Sequence, residues 1–207
     1  MSQLDRRFPS IASMECATKR RIPKFAFDYL QGGIGAEACV TGNRRALDNV
    51  RLAPRYLPTE PIQPVLEMNL FDREFPMPFA ASPIGLSGLM WPRAAEHIAQ
   101  AATRRGLPLG LSSFATSSIE EIGAIAGDLL WFQLYCTQKS EIENDLIDRA
   151  ESAGCEVLVV TVDIPTVTRR EKDIANGLSV PPKFDLATLS QVALRPTWAF
   201  ATLRAGI

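Results

Sequence analysis

From Phe79 onward, short apolar runs alternate with amphipathic stretches, and that alternation constrains the fold more than any other feature of the chain. "PFAASPIG" reads as a strand followed by a loop, and "LPLGLSS", "LLWFQLY" and "CEVLVVTVD" read as strands. Between them lie "AAEHIAQAATRRG", "SSIEEIGAIAG" and "SEIENDLIDRAESAG", which read as helices. Gly106 closes the first, Ser118 and Glu121 stand in capping-box spacing in the second, and Ser140 opens the third. Strands that are apolar throughout and joined by helices predict a parallel sheet buried on both faces.

Two architectures accommodate such a series. A doubly wound sheet usually carries a Gly-rich phosphate turn after its first strand, and "SPIGLSG" only approaches one. A (β/α)8 TIM barrel instead gathers its chemistry at the C-terminal strand ends. Here those ends read Ser82-Pro83-Ile84-Gly85, Ser112-Ser113, Gln133-Leu134-Tyr135 and Thr161-Val162-Asp163, polar groups on apolar strand bodies. The α/β barrel is therefore the favoured class. A complete one needs eight strands in about 250 residues, and this chain of 207 residues supplies four.

Ahead of the alternation, "SIASMECATKRR" and "PKFAFDYLQGG" have helical spacing, the second started by Pro23 and ended by Gly32 and Gly33. "AEACVTGNRRALDNVRL" predicts a further helix weakened by Gly42. "APRYLPTEPIQPV" holds four prolines and must be extended, and "LEMNLFDREFPMPF" predicts a hairpin turning near Asp72-Arg73. The expected organisation is one truncated domain: residues 1–78 as helices, linker and hairpin, and 79–207 as the first half of the barrel.

With 22 basic and 23 acidic residues the charges nearly cancel, which leaves no footprint for nucleic acid or an anionic membrane. The short basic run "TKRRIPK" reads as a solvated turn before a helix. No secretory h-region and no membrane-length apolar window are present. Four dispersed cysteines and a single histidine, His97, predict free thiols, no metal site and a cytoplasmic protein.

The stretch "EVLVVTVDIPTVTRREKD", residues 156–173, ends an uncharged strand at Asp163 and follows it with Arg169 and Arg170. A cleft that handles a small anion would use such an arrangement. Together with "FAFDYLQGGIGAE…NRRALDNVRLAPRYL", "SPIGLSGLMWP", "LSSFATSSIEEI" and "WFQLY", it resembles the FMN-dependent 2-hydroxy acid dehydrogenases and oxidases, the family of L-lactate and mandelate dehydrogenases and glycolate oxidase. The resemblance runs in order along nearly the whole chain, and "GLSGLMWP" looks closer to the bacterial mandelate and lactate dehydrogenases than to the plant oxidases.

The resemblance implies oxidation of a small 2-hydroxy acid with FMN, to an electron acceptor that the sequence does not specify, in a protein that is a homo-oligomer when complete. It implies that Tyr29 hydrogen-bonds the substrate carboxylate and that Tyr135 stands beside the substrate hydroxyl. Gly85 belongs to the loop whose backbone meets the flavin, and Ser112, Gln133 and Thr161 to the side chains at the isoalloxazine edge. Asp163 corresponds to the carboxylate that orients a catalytic histidine, and Arg170 to a guanidinium near the substrate anion. Ile84 departs from a frequent threonine. The base histidine, a flavin-facing lysine, the main carboxylate-binding arginine and the phosphate site belong to the family's second half, so little or no turnover is expected of this chain. His97 is expected on a helix outside the barrel. The rival expectation is a non-catalytic remnant that binds flavin weakly or only self-associates. Another FMN barrel enzyme, such as a type 2 isomerase, is disfavoured by "TVDIPTVTRRE".

Overall fold

Local sequence signals account for most of the elements in the computed structural model, which describes residues 3–54, 56–57, 59, 61, 63–163, 168–178 and 185–206. Helices α1 (Gln3–Arg7), α2 (Ile11–Arg21), α3 (Lys24–Gln31) and α4 (Ala38–Asp48) come first, then strands β1 (Met68–Leu70) and β2 (Arg73–Phe75). Helices α5 (Ser87–Met90) and α6 (Ala94–Thr103) precede the alternating series β3 (Leu109–Ser112), α7 (Ile119–Ala126), β4 (Leu130–Tyr135), α8 (Ser140–Ser152) and β5 (Val157–Thr161). Helices α9 (Glu171–Ala175), α10 (Leu186–Ala193) and α11 (Pro196–Arg204) follow. Two compact units result: Met1–Val50 with Leu89–Pro92 and Thr166–Ile207, and Arg51–Gly88 with Arg93–Pro165.

The first unit is helical. Ser10 and Ser13 form a capping box at the start of α2. The basic run expected as a turn instead supplies the last turn of that helix, where Lys19, Arg20 and Arg21 complement the negative end of its dipole. Pro23 sits before α3 and leaves the first turn without loss of an intrahelical bond. Phe25, Ala26 and Phe27 then bury against Trp198 of α11, whose ring meets Phe25 edge-on at 5.9 Å. The Trp198 indole N–H donates to the Met90 carbonyl at 3.1 Å, so the buried ring has its polar atom satisfied.

The second unit is a sheet with helices packed on one face. Strands β3, β4 and β5 are parallel and adjacent in that order, with Ser112 opposite Gln133 and Tyr135 opposite Thr161. "PFAASPIG", expected as a strand followed by a loop, contributes a single parallel bridge from Ala81 to Leu109. Pro78 and Pro83 bracket that bridge, and a proline has no N–H to extend a ladder. The Ser118–Glu121 capping box forms as expected, while α8 takes Lys139 as its N-cap residue and Ser140 as its first helical residue.

Alternation along the strands turns Leu109, Leu111, Leu130, Phe132 and Leu134 toward Ala95, Ala99 and Ala102 of α6, Ile119, Ile122 and Ala126 of α7, and Ala150 of α8. The opposite face is apolar at its N-terminal end, where Trp131 meets Phe71 and Phe75 of the hairpin edge-on. That hairpin turns through Phe71 and Asp72, both at positive φ, one residue before the expected point. Burial on both faces is found for β4 but not for β5, whose Leu158, Val159 and Val160 are 43, 36 and 48% exposed. As the outermost strand, β5 has no neighbour on its outer side among the described residues.

Candidate functional site

Polar side chains accumulate where the second unit's strands end. A cleft of about 390 Å³ opens there, lined by Gly85, Ser112, Gln133, Tyr135, Thr161 and Asp163 on the polar side. Pro83, Val159, Val160 and Val162 supply its apolar wall. Six of the eight residues singled out from the sequence thus stand around one cavity.

The strand register explains the convergence. Ser112, Gln133, Tyr135 and Thr161 share one sheet face because Ser112 pairs with Gln133, Tyr135 with Thr161, and Gln133 lies two residues before Tyr135. Gln133 is 5% exposed, and its amide donates to the Thr161 hydroxyl. Ser112 is 3% exposed, and its Oγ accepts the Phe114 N–H at 3.2 Å. Gly110 matters on this face: a Cβ there would lie 2.9 Å from Pro83 Cδ, so only glycine lets the Pro83 loop close over β3.

Tyr135 is held in part by Ser113 and Phe114, which were not among the eight candidates. Its N–H donates to Ser113 Oγ at 3.2 Å, Ser113 N–H donates to Gln133 O at 2.8 Å, and the Phe114 ring meets the Tyr135 ring edge-on at 5.0 Å. The signal available was the position of Ser113 and Phe114 one and two residues past a strand end that already carried Ser112. Asp163 is exposed at the rim of the cleft. His97 is exposed on α6 and does not line the cleft, as the sequence reading anticipated. The thiols of Cys136 and Cys155 are both pushed up by burial, which favours the neutral form over a reactive thiolate.

The remaining two candidates, Tyr29 and Arg170, meet in the first unit. The Arg170 guanidinium lies over the Tyr29 ring with Cζ 4.7 Å from its centroid, and Arg169 is exposed beside it. Arg170 Nη2 also donates to the Tyr29 and Gly32 carbonyls, at 2.6 and 2.9 Å. An ionic lattice surrounds this pair. Lys172 bonds Glu37 at 2.8 Å, Asn176 donates to Asp28 at 2.7 Å, and Asp28 also takes Lys24. Burial raises the Asp28 pKa, but hydrogen bonds from Lys24 and Asn176 and the charges of Lys24 and Lys172 outweigh it and hold that carboxyl below its ordinary value. Burial prevails at Asp173 and raises it in spite of Arg170.

The cleft suits a flat heteroaromatic ring. Ser112 and Thr161 hydroxyls and the Gln133 amide can each donate and accept, which matches a ring edge of alternating carbonyl and N–H groups, and the valines suit its faces. Among the described lining residues no lysine or arginine is available for a phosphate. The donor set therefore fits the isoalloxazine part of a flavin and not its phosphate.

Residues 18–206 match the FMN-dependent dehydrogenase family. A 4-hydroxymandelate oxidase of Amycolatopsis orientalis is 37% identical over 174 residues, 84% of this chain and 48% of that protein. An L-lactate dehydrogenase of Pseudomonas syringae pv. syringae (strain B728a) is 36% identical over 191 residues, 92% of this chain and 50% of that one. Among solved structures, the monotopic membrane protein (S)-mandelate dehydrogenase superposes with a TM-score of 0.86 at 31% identity, over 93% of this chain and 51% of the other. A mandelate oxidase gives 0.78 at 35% identity, over 92% and 59%. The chain spans about half the length of the curated relatives it matches, and no helix among its described residues is long and apolar enough to cross a membrane. With a family match along almost all of its length, and a cleft whose donors suit the ring of that family's cofactor, this chain belongs to the FMN-dependent dehydrogenases, which include L-lactate dehydrogenases and mandelate oxidases.

Proposed function

We propose that this chain carries the flavin-ring half of an active site that oxidises an L-2-hydroxy acid of lactate or mandelate type to the 2-oxo acid. The observation that carries the reading is the gathering of Gly85, Ser112, Gln133, Tyr135, Thr161 and Asp163 around one cleft. Its βα steps are the first four of a (β/α)8 barrel, and the complete protein is a homo-oligomer.

FMN, when bound, accepts the two electrons released as the C–OH group becomes a carbonyl. Ser112, Gln133 and Thr161 would hold the ring edge, and the backbone at Gly85 would lie against it. Tyr135 hydrogen-bonds the substrate hydroxyl, and Tyr29, with Arg170 beside it, serves the substrate carboxylate. Asp163 orients an imidazole and stabilises its charged form once a proton has been taken up. His97, exposed on α6 and absent from the cleft lining, is not that imidazole. The 207-residue chain alone therefore binds flavin without turning over hydroxy acid.

The test is an assay of the purified chain with FMN, L-lactate or (S)-mandelate, and a dye acceptor. Quenched flavin fluorescence without dye reduction is expected. Dye reduction above the flavin-only background would show that the chain holds its own base. Unquenched flavin together with self-association through the exposed β5 would favour a non-catalytic remnant.

A further inference from the structure

We infer that Arg170 serves this site as a positioning residue that holds Tyr29 in place through the end of α3, and that it cannot take a bidentate carboxylate while it does so. The inference rests on the assignment of Tyr29 to the substrate carboxylate above.

The last carbonyls of a helix have no intrahelical partner and must be met from elsewhere. At the end of α3 they are met by one nitrogen. Arg170 Nη2 has two N–H groups, and it donates to Tyr29 O at 2.6 Å and to Gly32 O at 2.9 Å. A guanidinium grips a carboxylate in bidentate fashion along one of two edges, Nε with Nη2 or Nη1 with Nη2. Nη2 belongs to both edges, so a bidentate carboxylate on Arg170 would have to displace a carbonyl of the helix that carries Tyr29. The Nε edge of the group also faces Asp173, whose Oδ2 lies 3.2 Å from Nε as an ion pair.

Three further features fit the clamp. The guanidinium also meets the Tyr29 ring, with Cζ 4.7 Å from its centroid, in a cation–π contact. Gly32 is needed for the approach: a Cβ there would lie 2.6 Å from Asp28 O and 3.3 Å from Nη2. The segment after the clamp is tied to the same stretch of chain, by Gly35 N–H to Arg169 O at 3.1 Å and by Lys172 to Glu37, whose carboxylate also accepts the Gly33 N–H at 3.2 Å. Arg170 is thus built into the join between α3 and α9, and its effect on chemistry passes through the position of the Tyr29 ring.

Arginine side-chain NMR of the wild-type 207-residue chain tests this, with the Arg170 signals assigned by Arg170→Lys. Slow rotation should give separate Nη resonances, with ring-current shifts that persist in Tyr29→Phe and vanish in Tyr29→Leu. Arg170→Lys should accelerate exchange of the Gly33 and Gly35 amides about tenfold while the amides of β4 keep their protection, since the charge alone does not rebuild the clamp. Averaged Nη resonances, or Gly33 and Gly35 amides that Lys protects as well as Arg does, would overturn the inference. None of these signals depends on flavin binding, so a chain that bound no flavin would overturn the proposed function and leave this result readable.

Discussion

Gln133 and Thr161 stand on neighbouring parallel strands with their side chains joined, the buried amide of one donating to the hydroxyl of the other. Each satisfies the other in the absence of a ligand, in a position where an unmet polar group would be costly. A ring edge with its own donors and acceptors can take over both groups, so the pair is poised for exchange without being orphaned beforehand.

Gln133→Leu should therefore weaken flavin binding about 3- to 10-fold, the equivalent of one lost hydrogen bond. Thr161→Val should cost a similar amount, and the double variant less than the product of the two, because the side chains are coupled. Fluorescence quenching titrations of the four proteins measure this. Equal affinities would place the ring elsewhere.

Phe132 is 1% exposed at the centre of the cluster that joins β4 to α6, α7 and α8. Phe132→Ala should cost about 3–5 kcal/mol in urea unfolding. Leu203→Ala, at a position 75% exposed, should change stability by less than about 0.5 kcal/mol. Similar losses from both would contradict the assigned core.

Glu120 takes two hydrogen bonds from Arg149, at 2.7 and 3.0 Å, and its pKa is lowered from 4.5 to about 2, chiefly by that guanidinium. A carboxyl with a lowered folded pKa stabilises the fold above its unfolded value and loses that contribution as pH falls toward the folded value. The effect of Arg149→Met should therefore be present at neutral pH and shrink between pH 4.5 and about 2. Urea midpoints of both proteins across that range measure it, and a difference that stayed constant to the lowest pH would exclude the pair as the cause.

An uncovered apolar outer strand invites pairing with another chain. The isolated chain should self-associate through β5, and Leu158→Lys, at a position 43% exposed, should shift it toward monomer. Sedimentation velocity reads the change, and an unaltered distribution would assign the contact to another surface.

The helices and strands were legible wherever period and caps agreed, as in α7 with its Ser118–Glu121 box and in β4 with its buried Leu130, Phe132 and Leu134. Two features were not. The strand expected at "PFAASPIG" shrank to the Ala81 bridge because its prolines remove donors, which a reading of apolar character does not weigh. The exposure of β5 depends on which strand is outermost, and its apolar composition is the same either way. At the site, the cleft residues could be read because strand register brings polar strand ends together. The clamp of Arg170 on Tyr29 and Gly32 could not, since those partners lie 141 and 138 residues away in sequence.

The measurement that tests the central claim most directly is a pair of equilibrium titrations of the wild-type chain, one with FMN and one with riboflavin, followed by flavin fluorescence. If this half of the site holds the ring and the phosphate is met by other residues, both flavins should be quenched with affinities within about threefold, well under 1.4 kcal/mol apart. Quenching of FMN alone, or of neither, would contradict it.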